Sequence, residues 1–93
     1  MNKLKATGIP GIKAAGSLEI YPNPMEDHAT IRFRNPSNEE YTLYLRDISG
    51  KLVRMIPHIK SGEILLEREN IMPGYYSIEI RGPWIYRGSL IAK

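Results

Sequence analysis

The sequence predicts an all-β fold, a small immunoglobulin-like antiparallel β-sandwich of about seven strands that follows a flexible linker. Several segments alternate apolar and polar residues with the period of two that half-buried strands require. Turn-forming residues separate these segments, so a strand begins about every 10–12 residues, the spacing of a small sandwich. The 93 residues allow one domain, and no segment has the period of a helix.

The first 17 residues are predicted to be a linker, because they show neither a helical nor a strand period. They contain the flexible or helix-breaking residues Gly8, Pro10, Gly11 and Gly16. The patch from Ile9 to Ile12 is expected at most to dock loosely on a sheet edge. The folded domain is therefore assigned to residues 18–93.

The strands are assigned from their apolar alternation. In the clearest case, Ala29, Ile31 and Phe33 alternate with polar residues, as in a strand with one buried face. The predicted strands, in chain order, are residues 18–21, 29–34, 41–46, 52–56, 64–67, 75–81 and 85–91.

The motif Tyr21-Pro22-Asn23-Pro24 marks the start of the β-domain. Its two prolines remove two backbone donors and fix two φ angles, so no helix can pass through it. Tyr21 is expected to cap the core at this entry.

The later breaks also have turn chemistry. Asp47 and Gly50 stand at the first and fourth positions of a turn, as a type I hairpin turn with a bulge prefers. The pair Pro73-Gly74 favours a type II turn, for which Gly74 supplies a positive φ. The remaining breaks are residues 35–38, 61–62 and 82–83.

The charge distribution argues against a nucleic-acid partner. The net charge is +3, but Lys3, Lys5 and Lys13 lie in the first 17 residues, which contain no acid. The folded part is therefore neutral, whereas a nucleic-acid binder concentrates positive charge on its folded surface.

Absence of cysteine excludes disulfides, thiolate metal sites and a cysteine nucleophile. No apolar segment follows the basic start, so Met1 to Lys5 are not expected to begin a signal peptide.

No residue set predicts catalysis, a metal or a cofactor. His28 and His58 lack metal-ligand spacing and are interpreted as surface loop residues. The acidic pairs at residues 26–27 and 39–40 are sequence neighbours, which diverge in loops and strands instead of facing each other across a substrate. The chain also lacks the glycine-rich and serine motifs of common enzymes, so we predict that it is not an enzyme.

Exposed aromatic residues leave an alternative open. Tyr44, Tyr75 and Trp84 would stack on a sugar if they shared one flat face, as in a carbohydrate-binding accessory module. Tyrosine is also common on ordinary strand faces, and we favour that interpretation. A plain immunoglobulin-like spacer is the third candidate.

Further motifs follow the 21–24 motif in a fixed order. Asp47, Gly50, Lys51 and Val53 form a hydrophobic-x-Asp-x-x-Gly-Lys-x-Val pattern. Gly74 and Tyr76 form an apolar-x-x-Gly-x-Tyr pattern, and a last apolar strand ends at Leu90, Ile91 and Lys93. In this order, over residues 18–93, the chain resembles the type A C-terminal sorting domain of the type IX (Por) secretion system of Bacteroidetes. Most of these residues have fold-keeping roles, with Tyr76 pointing into the core.

The resemblance implies that residues 1–17 link the domain to an N-terminal cargo protein. The type IX translocon and its outer-membrane shuttle protein would recognise the domain in the periplasm, and a sortase-like protease would then remove it. The cargo would remain at the cell surface, joined to an anionic lipopolysaccharide, or be released. The cut is placed at Ala14, Ala15, Gly16 and Ser17, where small residues suit a protease.

The recognition surface is expected at the last strand, with Leu90, Ile91 and Lys93. An exposed edge there would allow β-augmentation and an edge-strand homodimer. Two departures from the family are visible. Ile71 replaces a frequent leucine, and Gly88-Ser89 stands where a basic residue is frequent, which leaves the register of the last strand open.

Overall fold

The structure is a computed structural model that describes residues 14–93, and these residues form eight strands and no helix. None of the described residues belongs to a helix that would cross a membrane. The strands are β1 (Ala14–Ser17), β2 (Glu19–Tyr21), β3 (His28–Arg32), β4 (Tyr41–Asp47), β5 (Leu52–Ile59), β6 (Glu63–Glu67), β7 (Gly74–Arg81) and β8 (Ile85–Ala92).

Two sheets share one apolar core. The larger sheet has five strands in the order β1-β8-β7-β4-β5, and the smaller sheet has three in the order β2-β3-β6. Every pairing is antiparallel except that of β1 with β8, which is parallel. The predicted all-β sandwich is confirmed, and the seven predicted strands correspond to β2 through β8.

The last four residues of the predicted linker form a strand. Ala14–Ser17 form β1, in which Ala14 lies opposite Ile85 and Ser17 lies opposite Arg87. A four-residue strand of small residues has no apolar alternation, which is why its sequence gives no strand signal. Residues 1–13, including the patch from Ile9 to Ile12, lie outside the described residues.

Strand β5 also extends further than its sequence indicates. The strand is predicted from an apolar run that ends at Ile56, yet β5 continues through Pro57 to Ile59. The strand lies at the edge of the five-stranded sheet, where one side makes no ladder hydrogen bonds and proline is tolerated.

The core is formed by the inward residues of both sheets. Leu43, Leu45 and Ile80 of the larger sheet and Ile31 and Leu66 of the smaller sheet are fully buried. The strict alternation of buried residues along β4 and β7 is the pattern on which the sequence prediction rests. No charged or polar side chain is buried among the described residues.

Three aromatic rings close the end of the sandwich at which β4 and β8 begin. The ring of Phe33 lies 5.0 Å from that of Tyr41 and 5.1 Å from that of Tyr86, in edge-on and tilted geometries that aromatic pairs favour. The Tyr86 hydroxyl donates a hydrogen bond to the carbonyl of Arg34, so its one polar atom is satisfied.

Truncation of the core should cost far more stability than the same truncation on the surface. We expect Leu43→Ala to lower the free energy of unfolding by about 2–5 kcal/mol, because it leaves a cavity between the sheets. The matched control is Leu65→Ala on β6, where the side chain is 54% exposed, and its expected effect is below about 1 kcal/mol. Urea denaturation measures both, and equal losses would contradict this assignment of the core.

Candidate functional site: the clamp on the last strand

The outer edge of β8, the edge that faces away from β7, is covered in two parts. Strand β1 pairs with β8 only from Ile85 to Arg87. Beyond Arg87, the segment that follows β2 takes over, and it contains the 21–24 motif. We call the contacts of residues 23–26 and Arg68 with residues 89–93 the β8 clamp.

The side chain of Asn23 replaces a strand partner for β8. Its Nδ2 donates a 3.0 Å hydrogen bond to the carbonyl of Ser89, and its Oδ1 accepts a 2.9 Å bond from the amide of Ile91. A neighbouring strand offers one donor and one acceptor to its partner in the same way. Both peptide bonds that precede the prolines of the motif, at Pro22 and Pro24, are cis. Through the two hydrogen bonds of Asn23, the motif that marks the start of the β-domain also pairs with the edge of β8.

The backbone of Met25 continues the clamp by two residues. Its amide donates a 2.7 Å hydrogen bond to the carbonyl of Ile91, and its carbonyl accepts a 2.9 Å bond from the amide of Lys93. The Met25 side chain is fully buried in the core and anchors this contact. The outward peptide groups of Ile91 are therefore both satisfied without a second protein chain.

Arg68 joins the loop between β6 and β7 to the clamp. Its guanidinium donates hydrogen bonds to three carbonyls, those of Ile71 at 3.0 Å, Glu26 at 2.9 Å and Lys93 at 2.6 Å. Sequence reasoning missed Arg68, because a basic residue at the end of a strand ordinarily indicates a solvated position. Through these bonds Arg68 holds together two segments that are distant in sequence, the one at Glu26 and the C-terminal one at Lys93.

The three residues predicted for recognition lie in different environments. Leu90 is fully buried, so it contributes to the core and does not offer a surface to a partner. Ile91 is 43% exposed and lies beside the exposed Tyr75 on β7. Lys93 is exposed, and its Nζ lies 3.0 Å from the Glu26 carboxylate. Of the predicted set, Ile91 and Lys93 remain available for contact.

The prediction that β8 presents an open edge is wrong. Strand β8 lies between β1 and β7, and the clamp covers the rest of its length. The expected homodimer through that edge therefore lacks the surface on which it was based. Within the part of the chain that the structure describes, the outermost strands are β1, β5, β2 and β6.

Tyr21 does not cap the core, in contrast to the prediction. Its side chain is 46% exposed, and the preceding Ile20 packs against the core instead. The side-chain hydrogen bond to Tyr21, together with the nearby charge of Glu63, raises the pKa of Arg32 above its usual value. The motif thus places its aromatic residue on the outer face of the smaller sheet.

The Asp47 turn confirms the predicted hairpin between β4 and β5. The Asp47 Oδ1 accepts hydrogen bonds from the Ser49 hydroxyl at 2.7 Å and from the backbone amides of Ser49 and Lys51 at 3.0 Å each. Gly50 has a φ of 91°, which favours glycine. These bonds, first the one from the Ser49 side chain, lower the pKa of Asp47. Val53 beyond the turn is 39% exposed.

The predicted type II turn at Pro73-Gly74 is not formed, because Gly74 begins strand β7 and its positive φ is far from the roughly +80° that such a turn requires. Gly74 has a φ of 156°, and Tyr76 is buried with 5% of its surface exposed. The Tyr76 hydroxyl donates a 2.5 Å hydrogen bond to the carbonyl of Met72, so it holds the segment that precedes β7 against the strand. Tyr76 therefore points inward, as the sequence predicts.

Gly88 explains the departure at residues 88–89. A Cβ at this position would lie 3.0 Å from Ile20 and 3.3 Å from Leu18. The absence of a side chain therefore lets the segment of residues 18–20 pack closely against β8. The register of the last strand is Ile78 opposite Gly88.

Two of the aromatic residues of the alternative interpretation share a face, and the third lies apart from them. Tyr44 and Tyr75 both project from the outer face of the larger sheet. Tyr44 lies opposite Glu79, and the Arg46 guanidinium covers its ring at 5.4 Å from the centroid. Tyr75 lies near the start of β7, whereas Trp84 follows the other end of that strand, beside a cleft of about 430 Å³. A flat sugar-binding platform made from these three side chains is therefore not formed.

The two histidines lie in separate places. His28 begins β3 opposite Glu67, and the His58 Nδ1 lies 2.8 Å from the Glu40 carboxylate at the exposed surface of β5. Among residues 14–93, no group of three or more potential ligands is arranged to hold a metal ion.

Comparison with known proteins agrees with the family resemblance. A protein-family model described as a secretion system C-terminal sorting domain matches residues 19–83. A search of curated proteins found no match. The matched range contains Asn23, the Asp47 turn and Arg68, so it covers the residues that hold β8 as well as the hairpin.

Loss of the Asn23 side chain should loosen the end of β8. We expect Asn23→Ala to lower the free energy of unfolding by about 1–3 kcal/mol, since two hydrogen bonds to β8 disappear. Amide hydrogen exchange should become faster at Ile91, whose donor loses its partner. The control is Asn70→Ala, which removes a single 3.3 Å bond to Arg54. If exchange at Ile91 is equally fast in both variants, the clamp does not operate as described.

The Asp47 turn should make stability depend on acid pH. The pKa of Asp47 in the folded protein lies below the ordinary value of 3.8, so its contribution is present above that value. The contribution is lost as the pH falls through the lower, folded-state pKa. We expect the natural chain to have a higher thermal unfolding midpoint than Asp47→Asn at about pH 6. This difference in midpoint temperature should shrink below about pH 4. A difference that stays constant down to pH 2 would contradict this role.

Proposed function

Because the chain belongs to the family of secretion system C-terminal sorting domains, we propose that its folded part is the sorting signal of a cargo protein joined to its N-terminal side. The family is that of type IX secretion, so the domain is a signal for export across the cell envelope. It is a family of sorting signals and not of enzymes. The proposal adds how the signal is read and removed.

We infer that the translocon and its outer-membrane shuttle protein read a folded surface at the end of β8. The observation that carries this inference is the β8 clamp, which holds the peptide groups of Ile91 on a segment 68 residues earlier in the chain. A clamped strand end is a rigid surface, whereas a linear tag would be free. Rigid surfaces lose less conformational entropy on binding.

The exposed pair of Tyr75 and Ile91 is the centre of this proposed surface. The two side chains lie opposite each other on the outer face of the larger sheet and are 51% and 43% exposed. Met72, 70% exposed, precedes the same strand, and Lys93 follows the end of β8. Aromatic and apolar groups next to a charge are typical of the centre and rim of protein interfaces.

Removal of the domain completes the proposed pathway. A sortase-like protease would cleave in the segment Ala14–Ser17, after which the cargo is released or joined to an anionic lipopolysaccharide at the cell surface. The domain is the substrate of that reaction and supplies no catalytic group. This placement is supported by the small residues of the segment, which fit an extended protease site.

A secretion reporter tests this function. Residues 1–93 are fused behind a signal peptide and a reporter enzyme in a bacterium with a type IX system, and reporter activity is measured outside the cells. We expect external activity that depends on both the domain and the translocon. Retention of the fusion in the periplasm would contradict the sorting function and favour a spacer.

A matched pair of variants locates the surface. Ile91→Asp places a charge on the proposed surface, and Leu65→Asp places the same charge on the outer face of the other sheet, where Leu65 is 54% exposed. We expect Ile91→Asp to lower external activity about fivefold or more and Leu65→Asp to leave it unchanged. Thermal unfolding of both purified variants controls for loss of folding. Equal export of two folded variants would place the recognition surface elsewhere.

A further inference from the structure

Strand β1 is the weakest partner of β8. It contributes only three register pairs, with a bulge between Ala14 and Gly16, whereas β7 contributes eight without interruption. Its pairing is the one parallel pairing among the described strands, and parallel pairs are slightly less stable per residue. The bond that follows it, from the Leu18 amide to the Arg87 carbonyl, is long at 3.4 Å.

The two parts of the outer β8 edge therefore differ in strength. Residues 89–93 are held by the carboxamide of Asn23, the backbone of Met25 and the guanidinium of Arg68. Residues 85–87 are held by a short edge strand that lies at the end of the larger sheet. Local opening of a protein begins where few contacts hold the backbone, which here is β1.

The residues of β1 are also the residues proposed for cleavage. A strand whose backbone is paired in a sheet is a poor protease substrate, because a protease binds an extended segment with free peptide groups. Ala14–Ser17 therefore cannot pair with β8 and occupy a protease site simultaneously.

We propose that β1 is a removable cover, and that an extended strand from the secretion machinery adds to β8 at Ile85–Arg87 in its place. This inference rests on the proposed function. Displaced from the sheet, residues 14–17 become available for cleavage. Water then hydrolyses one of their amide bonds, which leaves a carboxylate on the cargo side and a new amino group on the domain. Recognition thereby precedes removal, because residues 14–17 become available for cleavage only after the incoming strand has displaced β1.

A disulfide between β1 and β8 tests the cover. The register places position 17 opposite position 87, and neighbouring strand positions lie within the Cα separation that a disulfide spans. The chain contains no cysteine, so Ser17→Cys with Arg87→Cys forms one defined pair. Each single substitution is a control, in particular for the loss of the ion pair between Arg87 and Glu79.

The first measurement uses the purified chain of residues 1–93 and a protease that cleaves after small residues. We expect cleavage within residues 14–17 to be about tenfold or more slower in the oxidised double variant than in its reduced form. The single variants should be cleaved at the rate of the natural chain. Equal rates for the oxidised and reduced forms, with the disulfide verified by mass spectrometry, would overturn the proposal.

The second measurement places the double variant in the secretion reporter, where the oxidising periplasm closes the disulfide. Retention of the locked domain, together with normal export of the single variants, is the expected result. Export of an uncleaved fusion would refute the incoming strand, and export with normal cleavage would refute the cover altogether. If the natural domain is not exported, the proposed sorting function fails, while the protease measurement still decides whether β1 is a cover.

Discussion

The outer edge of β8 imposes the constraint on which the arrangement of this domain depends. Peptide groups at a sheet edge need partners, and an unpaired edge invites pairing with another chain. The chain meets this need with the carboxamide of Asn23 and the backbone of Met25. On either side of this contact, Tyr21 of the 21–24 motif lies outside the core, and Met25, which follows the motif, lies fully inside it.

Two arginines connect the clamp to the opposite edge of the larger sheet. Arg54 on β5 donates hydrogen bonds to the carbonyls of Glu67 and Arg68, and the Arg68 side chain in turn reaches the carbonyl of Lys93. Guanidinium groups suit this task because their donors point in fixed directions from one plane. The last strand is consequently coupled to the outermost strand of its own sheet through the loop between β6 and β7.

The sequence predicts those elements whose signal is local. The alternation along β4 and β7 identifies their buried faces, and Asp47 with Gly50 identifies the hairpin turn, because the responsible contacts lie within a few residues. The clamp could not be predicted in this way, since Asn23 and Ile91 are 68 residues apart and a proline-flanked asparagine has the composition of an ordinary turn. Strand β1 has no apolar face to detect, and its pairing is determined by the partner it lies against.

Asn23 takes the place of a peptide group in the ladder. Conversion of its side-chain amide to a carboxylate would therefore remove a hydrogen-bond donor on which the fold depends. The usual loss of an asparagine amide begins when the backbone nitrogen of the next residue attacks the side-chain carbonyl. In this chain the next residue is Pro24, whose nitrogen carries no hydrogen. The succinimide route to an aspartate is thus closed at the one carboxamide that bridges Ser89 and Ile91. This contact is therefore protected by the chemistry of the next residue as well as by its geometry.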